Sequence, residues 1–230
     1  MEVIILAGGF GSRLQSVVSN VPKCMAEVAG KPFLSYLFEF LIPFHPEKVI
    51  LSLGYMHEII EEWVNGCDLP FEIVNKVEYL PLGTGGAVKY ALSAVTGQTA
   101  VIINGDTFFD LDLKQLQAFH QLHEREATLA LKLLKDFDRY GSVLLNKETA
   151  EIIRFEEKKY CKEGLINGGV YILNKNVLDD FPEKFSLESD YFVKKVLEKQ
   201  LTGYVSDGYF IDIGIPEDYK TVQQVFAGWK

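Results

Sequence analysis

The segment IILAGGFGSRLQSVVSNVPK, residues 4–23, is the most informative stretch of this 230-residue chain. An apolar run at residues 3–6 leads into AGGFG at residues 7–11, which is typical of a buried strand that ends in a glycine-rich turn. Glycines let backbone N–H groups approach an anion without a Cβ in the way. The cations Arg13 and Lys23 follow. The stretch therefore predicts a phosphate-binding loop, with a purely structural tight turn as the alternative.

Two common phosphate-binding motifs do not fit this spacing. The P-loop places Gly-Lys and then Ser or Thr after four intervening residues, and no Lys follows Gly11 directly. The dinucleotide fingerprint places an acidic residue after the second strand, where it holds a ribose hydroxyl. Here the second apolar run, at residues 48–53, is followed by Gly54 and Tyr55. Both motifs are therefore set aside.

The composition predicts one globular protein with an acidic surface. The chain is 48% hydrophobic and 24% charged, with a formal net charge of -9 and a pI near 5.0. This charge argues against nucleic acid or an anionic membrane as the main partner, because both polyanions need a basic face. The three cysteines are widely spaced and form no C-x-x-C pair, so we predict reduced thiols. With no signal peptide and no run of transmembrane length, the prediction is a cytoplasmic protein.

Strand and helix patterns alternate in the first half of the chain. Apolar strand patterns lie at residues 3–6, 48–53, 71–75 and 100–103. Helix patterns lie at residues 33–44, 56–64, 87–95 and 113–124. This order predicts an α/β fold, a Rossmann-like doubly wound and mostly parallel sheet with its ligand site at the carboxyl ends of the strands.

The second half has more strand patterns. They lie at residues 127–134, 140–146, 151–158 and 167–173, and predict antiparallel additions to the sheet. We predict a single domain, residues 1–230, in which about 1–125 bind a nucleotide and about 126–230 bind a second substrate.

Two acidic residues stand out. Asp106 ends NGD directly after the fourth strand pattern, where a carboxylate reaches the site and can bind a divalent cation. Asp212 lies between two isoleucines, and a buried carboxylate without a partner is costly. A divalent cation would compensate it. His120 and His123 lie three apart on one predicted helix, and we interpret them as surface residues because no third ligand accompanies them.

The family resemblance lies in three motifs. LAGGFGSRL at residues 6–14, VPK at 21–23 and GKP at 30–32 resemble the signature of the sugar-1-phosphate nucleotidyltransferases, also called nucleotide-sugar pyrophosphorylases. Ser12 stands where Thr is common, and Ser16 and Cys24 stand where prolines are usual. The resemblance covers nearly the whole chain and implies the GT-A-like fold of nucleotide-diphospho-sugar transferases.

The resemblance also implies a reaction and its residues. The reaction is Mg²⁺-dependent transfer of a nucleotidyl group from a nucleoside triphosphate to a sugar 1-phosphate. The implied catalytic residues are Arg13, Lys23 and Lys158, and the implied metal ligands are Asp106 and Asp212. The implied nucleotide contacts are Leu6, Ala7, Gly8, Gly9, Gly11, Ser12, Arg13, Lys23, Glu78, Gly83, Thr84 and Asp106. The implied sugar-phosphate contacts are Gly141, Glu157, Lys158, Asn167, Gly169 and Val170. Without the resemblance, the charges at residues 156–159 would be a solvated run.

Glu78 indicates which nucleotide binds. In the resembled family its loop, EYLPLGTGGAV at residues 78–88, holds the base, and a carboxylate accepts from the N1–H and N2–H of guanine together. We therefore predict GTP, with a solvated loop acid as the alternative. SLESD at residues 186–190 resembles the branch of the family that activates heptose 1-phosphate for bacterial surface glycans.

Other functions remain open from the sequence. The enzyme alternatives are transfer to mannose 1-phosphate, and uridylyl transfer to a muramic-type or another hexose 1-phosphate. A non-catalytic nucleotide-sugar sensor is the alternative of a different class. For the assembly, a homodimer is the candidate.

Overall fold

The computed structural model describes residues 1–9, 14, 17, 18 and 20–228. Within these residues the chain forms thirteen strands and six α-helices. The strands are β1 (Glu2–Leu6), β2 (Glu27–Val28), β3 (Lys31–Pro32), β4 (Lys48–Leu53), β5 (Glu72–Val77), β6 (Thr99–Asn104), β7 (Thr107–Phe109), β8 (Ala127–Phe137), β9 (Ser142–Leu145), β10 (Ile152–Phe155), β11 (Cys161–Asn174), β12 (Leu201–Ser206) and β13 (Phe210–Asp212). The helices are α1 (Phe33–Leu41), α2 (His57–Asn65), α3 (Gly83–Leu92), α4 (Leu113–His123), α5 (Val193–Leu197) and α6 (Pro216–Phe226). None of these helices is long and apolar enough to cross a membrane.

The main sheet confirms the predicted fold class. Nine strands of the described chain form it, in the order β10-β9-β11-β6-β1-β4-β5, with β8 paired to β11 and β12. In the first half, β1 pairs in parallel with both β4 and β6, and β4 pairs in parallel with β5. In the second half, β11 runs antiparallel to β6, β8 and β9. A parallel sheet with antiparallel additions is the architecture that the sequence predicts.

The central strands are apolar on both faces, which explains their uninterrupted β-branched runs. Along β1 successive side chains point to opposite sides, so Val3 and Ile5 join one hydrophobic core while Ile4 joins the other. Helices α1 and α6 supply aromatic side chains to the first core, whereas α3 packs into the second. With both faces covered, polar function is left to the ends of the strands.

The long strand β11 joins the two halves of the chain. Its first part pairs with β8 and β9, and its last residues, Val170 to Asn174, pair with β6. The register with β8 shifts between Asn167 and Tyr171, and Gly169 has a φ of 72°. Such an irregularity bends a strand and re-aims its side chains. The bend lies beside the end of β6.

A second, two-stranded sheet places the two singled-out aspartates side by side. Strand β13 pairs with β7 so that Asp212 lies opposite Thr107. The backbone N–H of Ile213 donates to the carbonyl of Asp106 over 2.9 Å. Residues that are 106 positions apart in the chain are thus held together by backbone hydrogen bonds.

Several predicted boundaries are wrong, each for a tertiary reason. Helix α3 begins at Gly83 rather than at residue 87, because Phe185 accepts hydrogen bonds from the backbone of its first turn. Strand β11 begins at Cys161, six residues before the predicted run, because β8 and β9 pair with its polar beginning. The SLESD stretch, for which no structure was predicted, forms a π-helical turn, Leu187–Phe192.

His120 is not on the surface, contrary to the prediction. It is buried on the sheet side of α4, and its two ring nitrogens hydrogen bond to Thr128 and Asn174 over 2.8 and 3.0 Å. Burial lowers the pKa of the imidazole. His120 is therefore a satisfied core histidine.

Candidate functional site

A cavity of about 410 Å³ lies at the carboxyl ends of the parallel strands. The ends of β1, β4 and β6, the residue after β5 and the first turn of α3 form its walls. Loops leave the sheet in different directions at such an edge, so a cleft forms there. Its described lining residues are Leu6, Ala7, Gly8, Gly9, Lys23, Cys24, Ser52, Glu78, Pro81, Gly83, Thr84, Ala87, Asn104, Gly105, Asp106, Glu188 and Gly214.

Nine of the expected nucleotide contacts line this cavity together. They come from the end of β1 and the turn after it, from the short turn Lys23–Met25, from the residue after β5, from the first turn of α3 and from the stretch just after β6. They are Leu6, Ala7, Gly8, Gly9, Lys23, Glu78, Gly83, Thr84 and Asp106. The expected contacts Gly11, Ser12 and Arg13 lie outside the described residues. Their roles stay predictions.

The glycines of α3 let residues 183–187 pack directly on its first turn. A Cβ at Gly86 would lie 2.1 Å from the carbonyl oxygen of Glu183, and one at Gly85 would lie 2.2 Å from the Phe185 ring. The N–H of Gly85 donates to the Phe185 carbonyl over 3.0 Å. Larger residues would push this segment off the helix. The glycines of this loop thus serve packing as well as access to the cavity.

Lys23 lies between the two aspartates. Its Nζ forms a short ion pair with Asp106 and lies 3.6 Å from Oδ1 of Asp212. The lysine side chain is 11% exposed, and the Asp106 and Asp212 side chains are 35% and 25% exposed. Two carboxylates and one cation in a partly desolvated place interact more strongly than at an open surface. Both carboxylates converge on one positive charge.

The surroundings of Asp212 disfavour its ionised form. Burial raises the pKa of this carboxyl group, and the negative charge of Asp106 raises it further, while Lys23 acts in the opposite direction. The N–H of Gly214 donates to Oδ1 of Asp212 over 2.6 Å. A Cβ at Gly214 would lie 2.7 Å from that oxygen and 2.9 Å from Lys23 Nζ. A side chain at position 214 would therefore displace the Asp212 carboxylate or the Lys23 ammonium group from this arrangement.

The aspartate pair fits the coordination chemistry of a magnesium ion. Mg²⁺ prefers oxygen ligands and is usually held by one or two carboxylates plus substrate phosphates. Asp106 and Asp212 provide that number of carboxylates, at the edge of a cavity that a phosphate chain can enter. The described chain contains no group of three or more His, Cys, Asp or Glu that could hold a metal on its own. The pair thus suits a metal shared with a substrate.

Cys24 is unsuited to nucleophilic chemistry although it lines the cavity. It is 3% exposed, and burial, together with the nearby Asp106, raises the pKa of its thiol to about 12. A thiol is nucleophilic as the thiolate, which this environment suppresses.

Glu78 occupies a niche formed by two glycines. A Cβ at either Gly8 or Gly54 would lie 3.1 Å from its Oε1. Oε2 of Glu78 accepts from the backbone N–H of Leu82 over 3.2 Å. Partial burial raises the pKa of the carboxyl group, and this hydrogen bond opposes the effect. Oε1 receives no hydrogen bond from the described residues, so it can accept from a bound base.

None of the expected sugar-phosphate contacts is among the described lining residues of the cavity. Glu157 and Lys158 are exposed after β10, and a Cβ at Gly141 would lie 2.5 Å from the carbonyl of Glu156. Val170 is buried and pairs with Ile103 of β6, so its side chain belongs to the core. The structure therefore does not bring these four residues into the described cavity.

Asn167 and Gly169 lie nearer to the cavity, at the bend of β11. A Cβ at Gly169 would lie 2.9 Å from the side-chain amide of Asn104, which lines the cavity. Asn167 donates to the hydroxyl of buried Tyr171 over 3.0 Å, and Tyr171 also hydrogen bonds to Asn104. These contacts connect the bend of β11 to the end of β6.

The sequence reasoning missed several lining residues. Asn104 and Gly105 belong to the NGD motif, of which only the aspartate was singled out. Gly214 begins the motif before α6, and Ser52 precedes the end of β4. Glu188 lies in SLESD, a stretch noticed without a structural reason. The signal for Glu188 was the resemblance of SLESD to one branch of the family, which implied no role for this residue.

Comparisons with known proteins agree on one family. A family model described as nucleotidyl transferase matches residues 2–227. The chain is 48% identical to the D-glycero-alpha-D-manno-heptose 1-phosphate guanylyltransferase of Aneurinibacillus thermoaerophilus, with 97% of each chain covered. It is 44% identical to the enzyme of the same name from Campylobacter jejuni, over 95% of this chain and 97% of that one. A crystal structure of HddC from Yersinia pseudotuberculosis, complexed with GMP-PN, superposes with a TM-score of 0.87 at 36% identity, covering 98% of this chain and 99% of that one.

Proposed function

The chain belongs to the nucleotidyl transferase family, and from that premise we propose that it is a guanylyltransferase for D-glycero-α-D-manno-heptose 1-phosphate. It would join this sugar phosphate to GTP, form GDP-heptose and release pyrophosphate. The observation that carries the proposal is the single cavity that Glu78 shares with Lys23 and Asp106, beside Asp212. The two heptose-specific relatives, at 48% and 44% identity over nearly the full chain, support the choice of sugar.

The proposed reaction needs no side-chain nucleophile. A phosphate oxygen of the sugar 1-phosphate attacks the α-phosphorus of GTP, in line with the departing pyrophosphate. The attacking oxygen already carries charge, so positioning two anions and offsetting the transition-state charge account for most of the catalysis. The buried neutral thiol of Cys24 is consistent with this view, because nothing in the reaction requires a thiolate.

Three cationic side chains each bind a different phosphate group. Lys23, at the cavity wall, contacts the α-phosphate region, where negative charge accumulates during transfer. Arg13 holds the triphosphate and the leaving pyrophosphate, and exposed Lys158 meets the phosphate of the sugar. A triphosphate would give Lys23 new partners in place of the aspartates. We propose these roles on the family resemblance and on the position of Lys23.

Asp106 and Asp212 would hold Mg²⁺. The bound ion would offset the charge of the reacting phosphates and hold them in line. Thr107 donates to Oδ1 of Asp106 over 3.2 Å, and the Gly214 N–H donates to Asp212, so both carboxylates are oriented by neighbours.

Glu78 selects the base. Guanine presents N1–H and N2–H side by side, and an ionised carboxylate accepts from both. Uracil and thymine present one N–H between two carbonyls, and these carbonyls would face the carboxylate unfavourably. Oε1, to which none of the described residues donates, and the partly buried position of Glu78 give this discrimination its strength.

A panel of substrate pairs tests the proposal. GTP, ATP, UTP and CTP would each be combined with heptose, mannose, glucose and muramic-type 1-phosphates in the presence of Mg²⁺, and pyrophosphate release would be measured. We expect the highest kcat/KM for GTP with the heptose 1-phosphate. Higher kcat/KM with another pair would reassign the substrate, and no pyrophosphate with any pair would favour a nucleotide-sugar sensor.

Three features of the sequence prediction stay proposals. We propose that residues 1–230 act as one domain, that the enzyme works in the cytoplasm where its nucleotide substrate is available, and that it forms a homodimer. Sedimentation equilibrium measures the last of these directly.

A further inference from the structure

Glu188 is the single described lining residue that brings a side chain into the cavity from the second half of the chain. The remaining lining residues belong to residues 1–125, apart from Gly214, which has no side chain. A transfer reaction needs both substrates in contact, so the second substrate has to meet the same cavity. We assign residues 126–230 to the second substrate, so its contacts in the cavity come from the side chains of those residues that line it. Within the described chain that is the Glu188 carboxylate.

The position of Glu188 is fixed by its neighbours. Its Oε2 accepts from the hydroxyl of Thr84 over 2.6 Å and from that of Ser186 over 3.2 Å. Thr84 in turn accepts from the backbone N–H of Leu187 over 2.9 Å. The hydroxyl of Thr84 and the carboxylate of Glu188 thus link the π-helical turn to the start of α3 by hydrogen bonds. A carboxylate held in this way is pre-organised for a ligand.

One oxygen of Glu188 remains available. Oε1 receives no hydrogen bond from the residues that the structure describes, and the side chain is exposed to the cavity and the solvent. An ionised carboxylate is acceptor-only, so it binds hydroxyl and N–H donors and repels phosphate. A polyol with a phosphate at one end would therefore place its hydroxyls at Glu188 and its phosphate elsewhere.

We infer that Glu188 is a specificity residue that accepts hydrogen bonds from hydroxyl groups of the sugar 1-phosphate. The inference rests on the proposed function, because it names the contact by which that site selects its second substrate. It also gives the SLESD segment a role: the segment carries a sugar-reading carboxylate into the cavity and fastens it to the loop that holds the base.

Replacement of Glu188 by Gln is the sharpest test. Gln keeps an oxygen that can accept from Thr84, so the hydrogen bond to α3 is preserved while the negative charge is lost. Because hydrogen bonds to charged groups are stronger than neutral ones, we expect KM for the sugar 1-phosphate to rise about tenfold in Glu188→Gln and up to about a hundredfold in Glu188→Ala. The dissociation constant of GTP, measured by calorimetry with Mg²⁺ and no sugar, should change less than about twofold, the size of an ordinary surface substitution.

Asp190→Asn is the matched control. It removes the same charge from the same turn, but Asp190 accepts from the backbone of Ser186 and does not line the cavity. We expect its KM for the sugar to equal that of the wild type. An unchanged sugar KM in Glu188→Gln would overturn the inference. Equal losses of affinity for GTP and for the sugar 1-phosphate would also overturn it. They would indicate that Glu188 contacts the ribose, or that it only holds the turn against α3.

Deoxygenated substrates identify the hydroxyl. With monodeoxy analogues of the sugar 1-phosphate, one analogue should bind the wild type and Glu188→Ala equally, because the contact is already missing. Direct calorimetry of the sugar phosphates, with GMP-PN present, keeps the test separate from turnover. Binding without pyrophosphate release in the panel would refute the proposed function alone. Equal sensitivity of all analogues to Glu188→Ala would refute the Glu188 contact alone.

Discussion

Substitution of Glu78 by Gln should reduce the preference for GTP and stabilise the ligand-free protein at the same time. The carboxylate offers two acceptors to the N1–H and N2–H of guanine, whereas an amide offers one acceptor and one donor group. One charge-assisted hydrogen bond is lost, which costs about 1.5–3 kcal/mol. At about 1.4 kcal/mol per tenfold change, kcat/KM for GTP should fall about 10- to 100-fold.

The same substitution should raise kcat/KM for UTP or leave it unchanged. An amide can pair with the alternating carbonyl and N–H of uracil, so the ratio of kcat/KM for GTP to that for UTP falls in Glu78→Gln. Pyrophosphate release at saturating sugar 1-phosphate measures both values. Glu72→Gln is the matched control, because Glu72 is an exposed acid at the start of β5, the strand that Glu78 follows. An unchanged ratio in Glu78→Gln would refute the base-reading role.

The stability effect of Glu78 follows from the raised pKa of its carboxyl group. A raised pKa means that the folded protein binds the proton more tightly than the unfolded chain, so stability falls as pH rises through the pKa of the folded state. At neutral pH the ionised carboxylate therefore destabilises the fold, and Gln removes this cost. We expect a higher Tm for Glu78→Gln at pH 7 and a smaller difference in acid. A Tm lowered at pH 7 would contradict the sign.

The remaining predictions concern the aspartate pair, Lys158 and the packing of α3. Asp106→Asn or Asp212→Asn should lower kcat by roughly a hundredfold or more, the usual effect of losing one preorganised electrostatic group, and near-normal rates at saturating Mg²⁺ would refute the metal assignment. Lys158→Ala should raise KM for the sugar 1-phosphate about tenfold and leave KM for GTP unchanged; equal effects on both would remove Lys158 from the sugar site. Gly86→Ala should destabilise the protein by about 1–3 kcal/mol, because the new Cβ would meet the Glu183 carbonyl at 2.1 Å. The control Gly66→Ala, at a helix end with a φ of -89°, should stay within about 0.5 kcal/mol in urea unfolding.

The sequence predicts the parallel half of the fold well, because its strands carry their own signal. Buried β-branched runs such as VIIL at residues 3–6 are incompatible with a solvent-facing position, and the glycine turn and NGD motif mark where such strands end. Asp212 was identified because an acid between two isoleucines requires a partner, and the structure shows two charged neighbours. The family and its class of reaction, nucleotidyl transfer, were predicted from the resemblance of the same motifs and are confirmed by the comparisons.

Features that depend on distant contacts could not be predicted. The glycines at positions 83, 85 and 86 have poor helix propensity, and they become helical because residues 183–187 pack on them. The polar start of β11 resembles a loop until β8 and β9 supply its hydrogen bonds. His120 shares the buried face of α4 with Leu113 and Leu116, but the Thr128 and Asn174 side chains that satisfy its nitrogens there come from other strands. The start of α3, the start of β11 and the burial of His120 all depend on contacts with residues from other elements, which a local sequence pattern does not encode.

The bend in β11 has a consequence for redesigning the enzyme. Asn167 and Gly169, both proposed to contact the sugar, are held by Tyr171 and Asn104 within the main sheet, where a Cβ at Gly169 would lie 2.9 Å from the Asn104 amide. Most substitutions at these two positions would therefore disrupt the main sheet, and libraries randomised there would consist largely of unfolded variants. Residues 156–158 and the turn that carries Glu188 lie outside the sheet. New sugar selectivity should therefore be sought first in those two segments, with β11 left as the fixed frame.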